Sequence, residues 1–401
     1  MTELRELNTT LSKNNKKIFG GDHWKFSDTI YFKLKGKSVK SDYNPTFPIM
    51  VKEIPNLLIN KKMFGIFWDT PTFKDTDCTY LFHVHDLSHI DYVISTSSGN
   101  TVEAMARAIK TYNEKRNKNV KAILLVPELS AYKVSQSAIE NNKYIKYVIM
   151  KNYTLDETRD FAKKLFVYLS NSFKVIHADS DMKTAAYTQL GVILKNYNLM
   201  NDNVCYVQTV SGGVGSTGLI ESAIKYKENP EVLLVQPSNG NSAPIIDALN
   251  AHSNGKDPFS IFKDHNYKTP RFEPTLGSTK PIYAIKKFIE WREEEGRIIP
   301  VGVLEEKLNF YKNKILNSLI QEDIYPSKYI GLKLFDLEKS GFIAFTGAIL
   351  ASNKIEANNI VVNFTGRYPD PKLIIPKTAK PHFFYKTTEN IKDFISKLNL
   401  Q

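Results

Sequence analysis

The chain has 401 residues, 42% hydrophobic and 12% aromatic, with 54 Lys+Arg against 42 Asp+Glu and a formal net charge of +12. That length predicts two domains with real cores and excludes a disordered polyelectrolyte; no apolar stretch approaches the roughly 18 residues of a membrane span, and the opening MTELRELNTTLSKNNKK lacks the apolar region of a secretory signal. Two cysteines, Cys78 and Cys205, make neither a disulfide framework nor a four-cysteine zinc site, so a reducing, cytoplasmic setting is expected.

In chain order, residues 1–45 are polar and irregular apart from a strand-like run at 29–34. KMFGIFW (62–68) reads as a strand, 79–90 as a short helix and DYVIST (91–96) as a buried strand. The segment 101–114 is an amphipathic helix with Val102, Met105, Ala106 and Ile109 on one face. The alternation continues through strand 120–126, helix 128–141, strand 144–150, helix 154–170, strand 173–178 and helix 183–197. Strand 203–210 leads through a glycine loop into helix 217–227, followed by strand 231–237. Residues 250–280 are loop-rich, and helix 281–293, strand 298–304, helices 305–318 and 341–353, strand 358–366 and a closing helix 388–398 complete the chain. Continuous apolar runs spaced by helices predict an α/β protein with parallel sheets covered by helices.

The positive charge is mostly lysine with acids mixed through it, as in YNEKRNKN, without an arginine cluster or aromatic-basic alternation. It reads as solvated surface, and no nucleic-acid or membrane partner is expected. His83, His85, Asp86 and His89 are close in sequence, but no HExxH or cysteine ligand accompanies them. They read as packed or partly exposed histidines, and no metal is expected. Cys78 reads as a core residue, and Cys205, inside an apolar strand, as inert.

Three turns carry chemistry. In TPTFKD, Lys74 stands between a strand and a helix, where a lone lysine is ordinarily a solvated one. Ser97-Ser98-Gly99-Asn100-Thr101 follows a strand and opens a helix, where the local sequence alone reads first as an ordinary N-cap and free backbone N–H groups and hydroxyls also suit a carboxylate. Ser211-Gly212-Gly213-Val214-Gly215-Ser216-Thr217 does the same farther along. Its glycines suit either a single phosphate or a tight turn. Gly215 is followed directly by Ser216, so the lysine of a nucleotide-triphosphate loop is missing, and the dinucleotide fingerprint fits poorly.

The three turns in this order resemble the fold type II pyridoxal-phosphate enzymes, with TPTFKD and SSGNT closest to the threonine synthase branch and cysteate synthase similar in layout. The likeness covers about residues 45–370. It implies a two-lobed architecture, with a large cofactor-binding domain of 1–79 plus 191–401 and a small substrate-loop domain of 80–190, the cofactor in the cleft between them, and a homodimer. It implies pyridoxal 5'-phosphate held by Lys74, with Asn100 on the ring hydroxyl and Thr365, in NFTG, facing the ring nitrogen. Gly212, Gly213, Val214, Gly215, Ser216 and Thr217 match the phosphate cup. Ser97, Ser98, Gly99 and Thr101 match the loop that takes the substrate carboxylate. Thr76 stands where the family commonly has Arg, bulky side chains replace the small helix after the lysine, and GFIAFTGAIL lacks a frequent Glu-Pro. These departures bear on the reaction more than on the fold.

The chemistry this implies is elimination or replacement on an amino acid, phosphorylated substrates included. A freed Lys74 amine, with a pKa lowered from about 10.4, takes the α-proton, and the cofactor accepts the electrons. A neutral Thr365 beside the ring suits loss of a β or γ substituent. The nearest match is threonine synthase acting on O-phosphohomoserine. The alternatives are β-replacement on O-phosphoserine in the manner of cysteate or cysteine synthase, a serine/threonine dehydratase-like deaminase, and a non-catalytic binding protein on the same fold. Lys133 and Lys183 are candidates to hold a leaving phosphate, while Gln236-Pro237 ends a strand at the edge of the glycine loop.

Overall fold

Strands that are apolar on both faces must be covered on both, and helices supply the cover. In the computed structural model of the chain, the described residues are 59–68, 89–97, 99–178, 197–239, 243–320, 339–367, 378–386 and 389–400, with Lys74, Cys78, Leu81, Phe82, Leu87, short strands before residue 55 and, between 184 and 195, Thr184, Tyr187, Thr188, Leu190, Gly191, Leu194 and Lys195. They form two compact units, one drawing on 1–29, 44–73 and 184–373, the other on 30–43, 74–183 and 374–401.

The first unit is built on a six-stranded sheet in the order Ile298–Leu304, Glu231–Ser238, Val204–Thr209, Asn359–Arg367, Lys62–Trp68, Ile49–Ile54. Every pairing is parallel except that of the last edge strand. Cys205, Val207, Leu233, Val235, Val362 and Phe364 pack with Phe342, Ile343 and Phe345 of helix Lys339–Leu350. Each large side chain so buried contributes roughly 1.5–3 kcal/mol. Tyr206 and Gln208 alternate with Cys205 and Val207, and Gln208 faces helix Val214–Tyr226. Burial pushes the Cys205 thiol up, which suits an inert core position.

The second unit carries a five-stranded, wholly parallel sheet in the order Val175–His177, Tyr92–Thr96, Lys121–Pro127, Ile145–Lys151, Phe383–Lys386. Val93, Ala122, Leu124 and Tyr147 pack with Val102, Met105, Ala106 and Ile109 of helix Asn100–Arg116. The other face packs Ile94, Ile123, Leu125 and Val148 with Leu165 of helix Leu155–Leu169 and Phe394 of helix Ile391–Leu398. Both of these helices start on capping boxes, Thr154 with Glu157 and Asn390 with Asp393, which fixes their entry points. The tail strand is tied in by a two-way exchange. The His382 N–H donates to the Tyr147 carbonyl at 2.9 Å, and the Tyr147 N–H donates to His382 Nδ1 at 3.0 Å.

The helix expected over 128–141 is broken in two. Residues Glu128–Lys133 form a 3-10 turn and Gln136–Ile139 a single α turn. Between them Val134 and Ser135 are extended, because the Val134 carbonyl accepts the Ala379 N–H at 2.8 Å and the Ser135 N–H donates to the Glu103 carboxylate at 3.0 Å. These tertiary bonds replace the intrahelical ones the local pattern favours. Among the described residues no helix is long and apolar enough to cross a membrane.

Candidate active site

In an open parallel sheet a ligand crevice forms at the carboxyl edge, where neighbouring strands send their chains in opposite directions. Both sheets have such a point. In the five-stranded sheet the chain leaves Tyr92–Thr96 for Lys121–Pro127 and Ile145–Lys151, then returns to Val175–His177 on the far side. The Ser97–Thr101 turn follows Tyr92–Thr96 there. In the six-stranded sheet the chain leaves Val204–Thr209 for Glu231–Ser238 and Ile298–Leu304, then returns to Asn359–Arg367 on the far side. The Ser211–Thr217 loop follows the first of these strands, and half-buried Thr365 lies near the end of the last. Both polar turns singled out in the sequence therefore sit where their own sheet opens.

In the first turn Gly99 has φ 110° and ψ −61° and serves as N-cap of helix Asn100–Arg116, without a side-chain cap. That φ favours glycine, and an added Cβ would stand 2.8 Å from Lys133 Cβ and 3.0 Å from the Ser130 carbonyl oxygen. Ser97 is buried, and its Oγ accepts the Thr101 N–H at 3.2 Å. Its hydroxyl braces the turn from inside. Thr101 is buried and Asn100 half-buried at the helix start. Ser98 lies outside the described residues.

Lys74 is half-buried and opens a helical turn, its carbonyl accepting the Cys78 N–H at 3.2 Å. Cys78 is buried, and its Sγ lies 3.6 Å from the Thr101 carbonyl oxygen, which accepts the thiol hydrogen. The Lys74 turn is thereby fastened to the first turn of the Asn100–Arg116 helix. Lys183, His83, His85 and Asp86 lie outside the described residues, and His89 is exposed.

In the glycine loop Gly213 is the N-cap of helix Val214–Tyr226, with φ 74° and ψ 0°, no side-chain cap and no acidic residue in the first turn. Its carbonyl accepts the Thr217 N–H at 2.9 Å. A helix start of this kind presents backbone N–H groups to an anion and keeps competing carboxylates away. The hydroxyls of the loop face inward. Ser216 is fully buried, with Oγ donating to Gln208 Oε1 at 3.4 Å, and Thr217 Oγ1 donates to the Val214 carbonyl at 2.8 Å. Ser211 Oγ accepts the Ser278 N–H at 3.1 Å. The loop fits a phosphate through its backbone rather than through these hydroxyls.

Sequence reasoning missed what stands behind the loop. Asn363 Nδ2 donates to Tyr206 Oη at 2.9 Å, and Tyr206 Oη donates to Gln208 Oε1 at 2.9 Å, the same oxygen Ser216 uses. All four residues are buried, and burial pushes the Tyr206 phenol far above its ordinary range, so it stays a neutral donor. Gln236 Nε2 donates to the Val210 carbonyl at 3.3 Å, and its Oε1 accepts the Ile245 N–H at 3.0 Å, tying the entry of the glycine loop to helix Pro244–Ser253. The available signal was a polar residue inside an apolar strand, as in VCYVQTV and IVVNFTG, because such a residue stays buried only with partners. Tyr206→Phe is expected to lower unfolding stability by about 1–3 kcal/mol, since it deprives Asn363 of a buried acceptor. Urea unfolding measures it, and an unchanged midpoint would show that the chain is not closed.

Two parallel sheets, each covered by helices and each opening at a polar turn, form the fold type II pyridoxal-phosphate-enzyme architecture. No family model matches the chain and no curated protein matches its sequence. Solved structures do. The chain is similar to a pyridoxal 5'-phosphate-dependent aspartate racemase, with TM-score 0.56 and 14% identity over 92% of this chain and 95% of that one. It is similar to threonine synthase from Escherichia coli, with TM-score 0.57 and 12% identity over 80% of this chain and 70% of that one. It is also similar to serine racemase from Dictyostelium discoideum, with TM-score 0.51 and 18% identity over 81% of this chain and 93% of that one. Racemases and a synthase fit alike, so the likeness carries the fold and sets no branch apart.

Proposed function

We propose that this protein is a pyridoxal-phosphate-dependent enzyme of amino-acid metabolism that carries out elimination or replacement, most like threonine synthase on O-phosphohomoserine. The observation that supports it best is the fastening of the Lys74 turn, through Cys78, to the Thr101 carbonyl. An amine and an anion-binding turn are thereby held together in one unit.

In this reading the N–H groups of Gly212, Gly213, Val214, Gly215 and Ser216 serve the cofactor phosphate, as an uncapped helix start suits, and Thr217, whose N–H is held by the Gly213 carbonyl, closes the turn. Asn100 offers its amide to the ring hydroxyl, and Thr365 places a neutral hydroxyl at the ring nitrogen. Ser98, Gly99 and Thr101 receive the substrate carboxylate, and Ser97 contributes by holding Thr101. Lys74 holds the cofactor, then takes a proton from the substrate α-carbon and returns it where the reaction needs it. The cofactor supplies an electron sink for that carbon. A neutral group at Thr365 suits reactions in which a β or γ substituent leaves with the electrons. The reading carries with it a homodimer in the cytoplasm.

The test is chemical trapping. The full chain is incubated with pyridoxal 5'-phosphate, reduced with borohydride and digested. The added mass is expected on the peptide containing Lys74. Labelling confined to other lysines, or no saturable labelling, would remove the assignment.

A further inference from the structure

Ser211, Gly212 and Gly213 join Val210, at the end of strand Val204–Thr209, to helix Val214–Tyr226. Glycines hold no backbone direction of their own, so the course of this short loop is set at its two ends. One end is the helix. At the other, Val210 is bound through both backbone groups. Its N–H donates to the Val235 carbonyl at 2.8 Å, and its carbonyl accepts Gln236 Nε2 at 3.3 Å. One residue on, Ser211 Oγ accepts the Ser278 N–H at 3.1 Å.

Gln236 is fully buried on strand Glu231–Ser238, and its amide has one workable orientation. Oε1 accepts the Ile245 N–H at 3.0 Å and the Ile246 N–H at 3.3 Å. Both belong to the first turn of helix Pro244–Ser253, whose N-cap Ala243 provides no side-chain cap. Turning the amide over would set its nitrogen against those two donors and its oxygen against the Val210 carbonyl, losing all three bonds. The oxygen is thereby committed to the helix and the nitrogen to Val210. That bond reaches the loop through a planar peptide. The Val210 carbonyl and the Ser211 N–H share one trans unit and point in opposite directions, so drawing the carbonyl to Gln236 fixes the plane from which the loop departs.

We propose that Gln236 is a positioning residue for the cofactor phosphate. By holding the Val210 carbonyl it sets the peptide planes that lead into the glycine loop, so that the N–H groups of Gly212 and Gly213 are oriented before the anion arrives. The proposal rests on the reading of that loop as the phosphate seat. Gln236 acts through the loop, not on the ligand. Donors already in place need no rearrangement on binding, and its contribution to affinity comes from that saving.

The experiment titrates the full chain with pyridoxal 5'-phosphate and with pyridoxal, which lacks the phosphate, and follows the cofactor absorbance band. Wild type is expected to prefer the phosphorylated form about 10²-fold. Gln236→Met is expected to bind pyridoxal 5'-phosphate about tenfold more weakly while its pyridoxal affinity changes less than about twofold. Gln236→Asn keeps a buried amide but is too short to span the same partners. It is expected to show the same selective loss, and it decides the matter if the methionine chain does not fold, as judged by circular dichroism and the thermal midpoint. A folded variant that keeps the wild-type preference would overturn the proposal and leave the phosphate seat intact. So would a variant that loses affinity for both ligands equally, the mark of a structural support alone. A wild type that binds the two forms equally, or gives no cofactor band, overturns the phosphate seat and the proposal together.

Discussion

Lys74→Ala is expected to fold as the wild type does, form no reducible link to pyridoxal 5'-phosphate and lose turnover by at least roughly 10²–10⁴-fold, the scale of general-base catalysis alone. The expectation of normal folding comes from which atoms hold this turn. The Cys78 N–H bonds to the backbone carbonyl of Lys74, and the alanine variant keeps it. Cys78 packs with Leu81, Val102 and Met105 in the core of the second unit, and none of these contacts passes through the lysine ammonium. The variant therefore removes an amine and keeps this backbone bond and these core contacts. Circular dichroism and the thermal midpoint are the controls, and turnover on whichever amino acid shifts the cofactor band is the readout. Added ethylamine is expected to restore part of the rate by supplying the missing base. A variant with full turnover would mean that Lys74 is a half-buried surface lysine and that the proton is carried elsewhere.

The layering of the fold was legible because burial on both faces leaves a plain mark. KMFGIFW, KAILLVP and EVLLVQPS are continuous apolar runs, and each is a strand of a parallel sheet, the first over Lys62–Trp68 as expected. The positions of the two polar turns were legible for the same reason, since each directly follows such a run. What escaped was everything decided by partners distant in sequence. The break at Val134 and Ser135 depends on Glu103 and Ala379, which no local periodicity reveals. Nothing in FFYK marks which sheet it joins, and the strand Phe383–Lys386 pairs with Val148–Lys151 through register alone. The glycine loop had two readings, a phosphate seat and a tight turn. The hydroxyls of Ser216 and Thr217 build the turn, and the uncapped helix start beside them is what we propose as the phosphate seat.

That double duty gives Gly213→Ala a large expected structural effect. At φ 74° a non-glycine residue loses roughly 1–2 kcal/mol. The new Cβ would also stand 2.3 Å from Ala284 Cβ and 3.2 Å from Phe288 Cζ. Ala284 and Phe288 are both fully buried on helix Ile282–Glu293, so neither yields without moving that helix, which adds about 1–3 kcal/mol of overpacking. The sum is a loss of about 2–5 kcal/mol in unfolding free energy. If the strain is relieved instead by turning residue 213 out of the left-handed region, the N–H groups of Val214 and Gly215 turn with it. Cofactor affinity then falls about 10²-fold, the worth of one or two charge-assisted hydrogen bonds. Gly255→Ala separates the two contributions. Gly255 has φ 69° but no atom within 4 Å of an added Cβ, so it reports the backbone term alone and leaves cofactor binding unchanged. Thermal midpoints and cofactor titrations of the two variants, run side by side, measure the difference. If Gly213→Ala behaves like Gly255→Ala in both, the loop is an ordinary turn and the phosphate lies elsewhere.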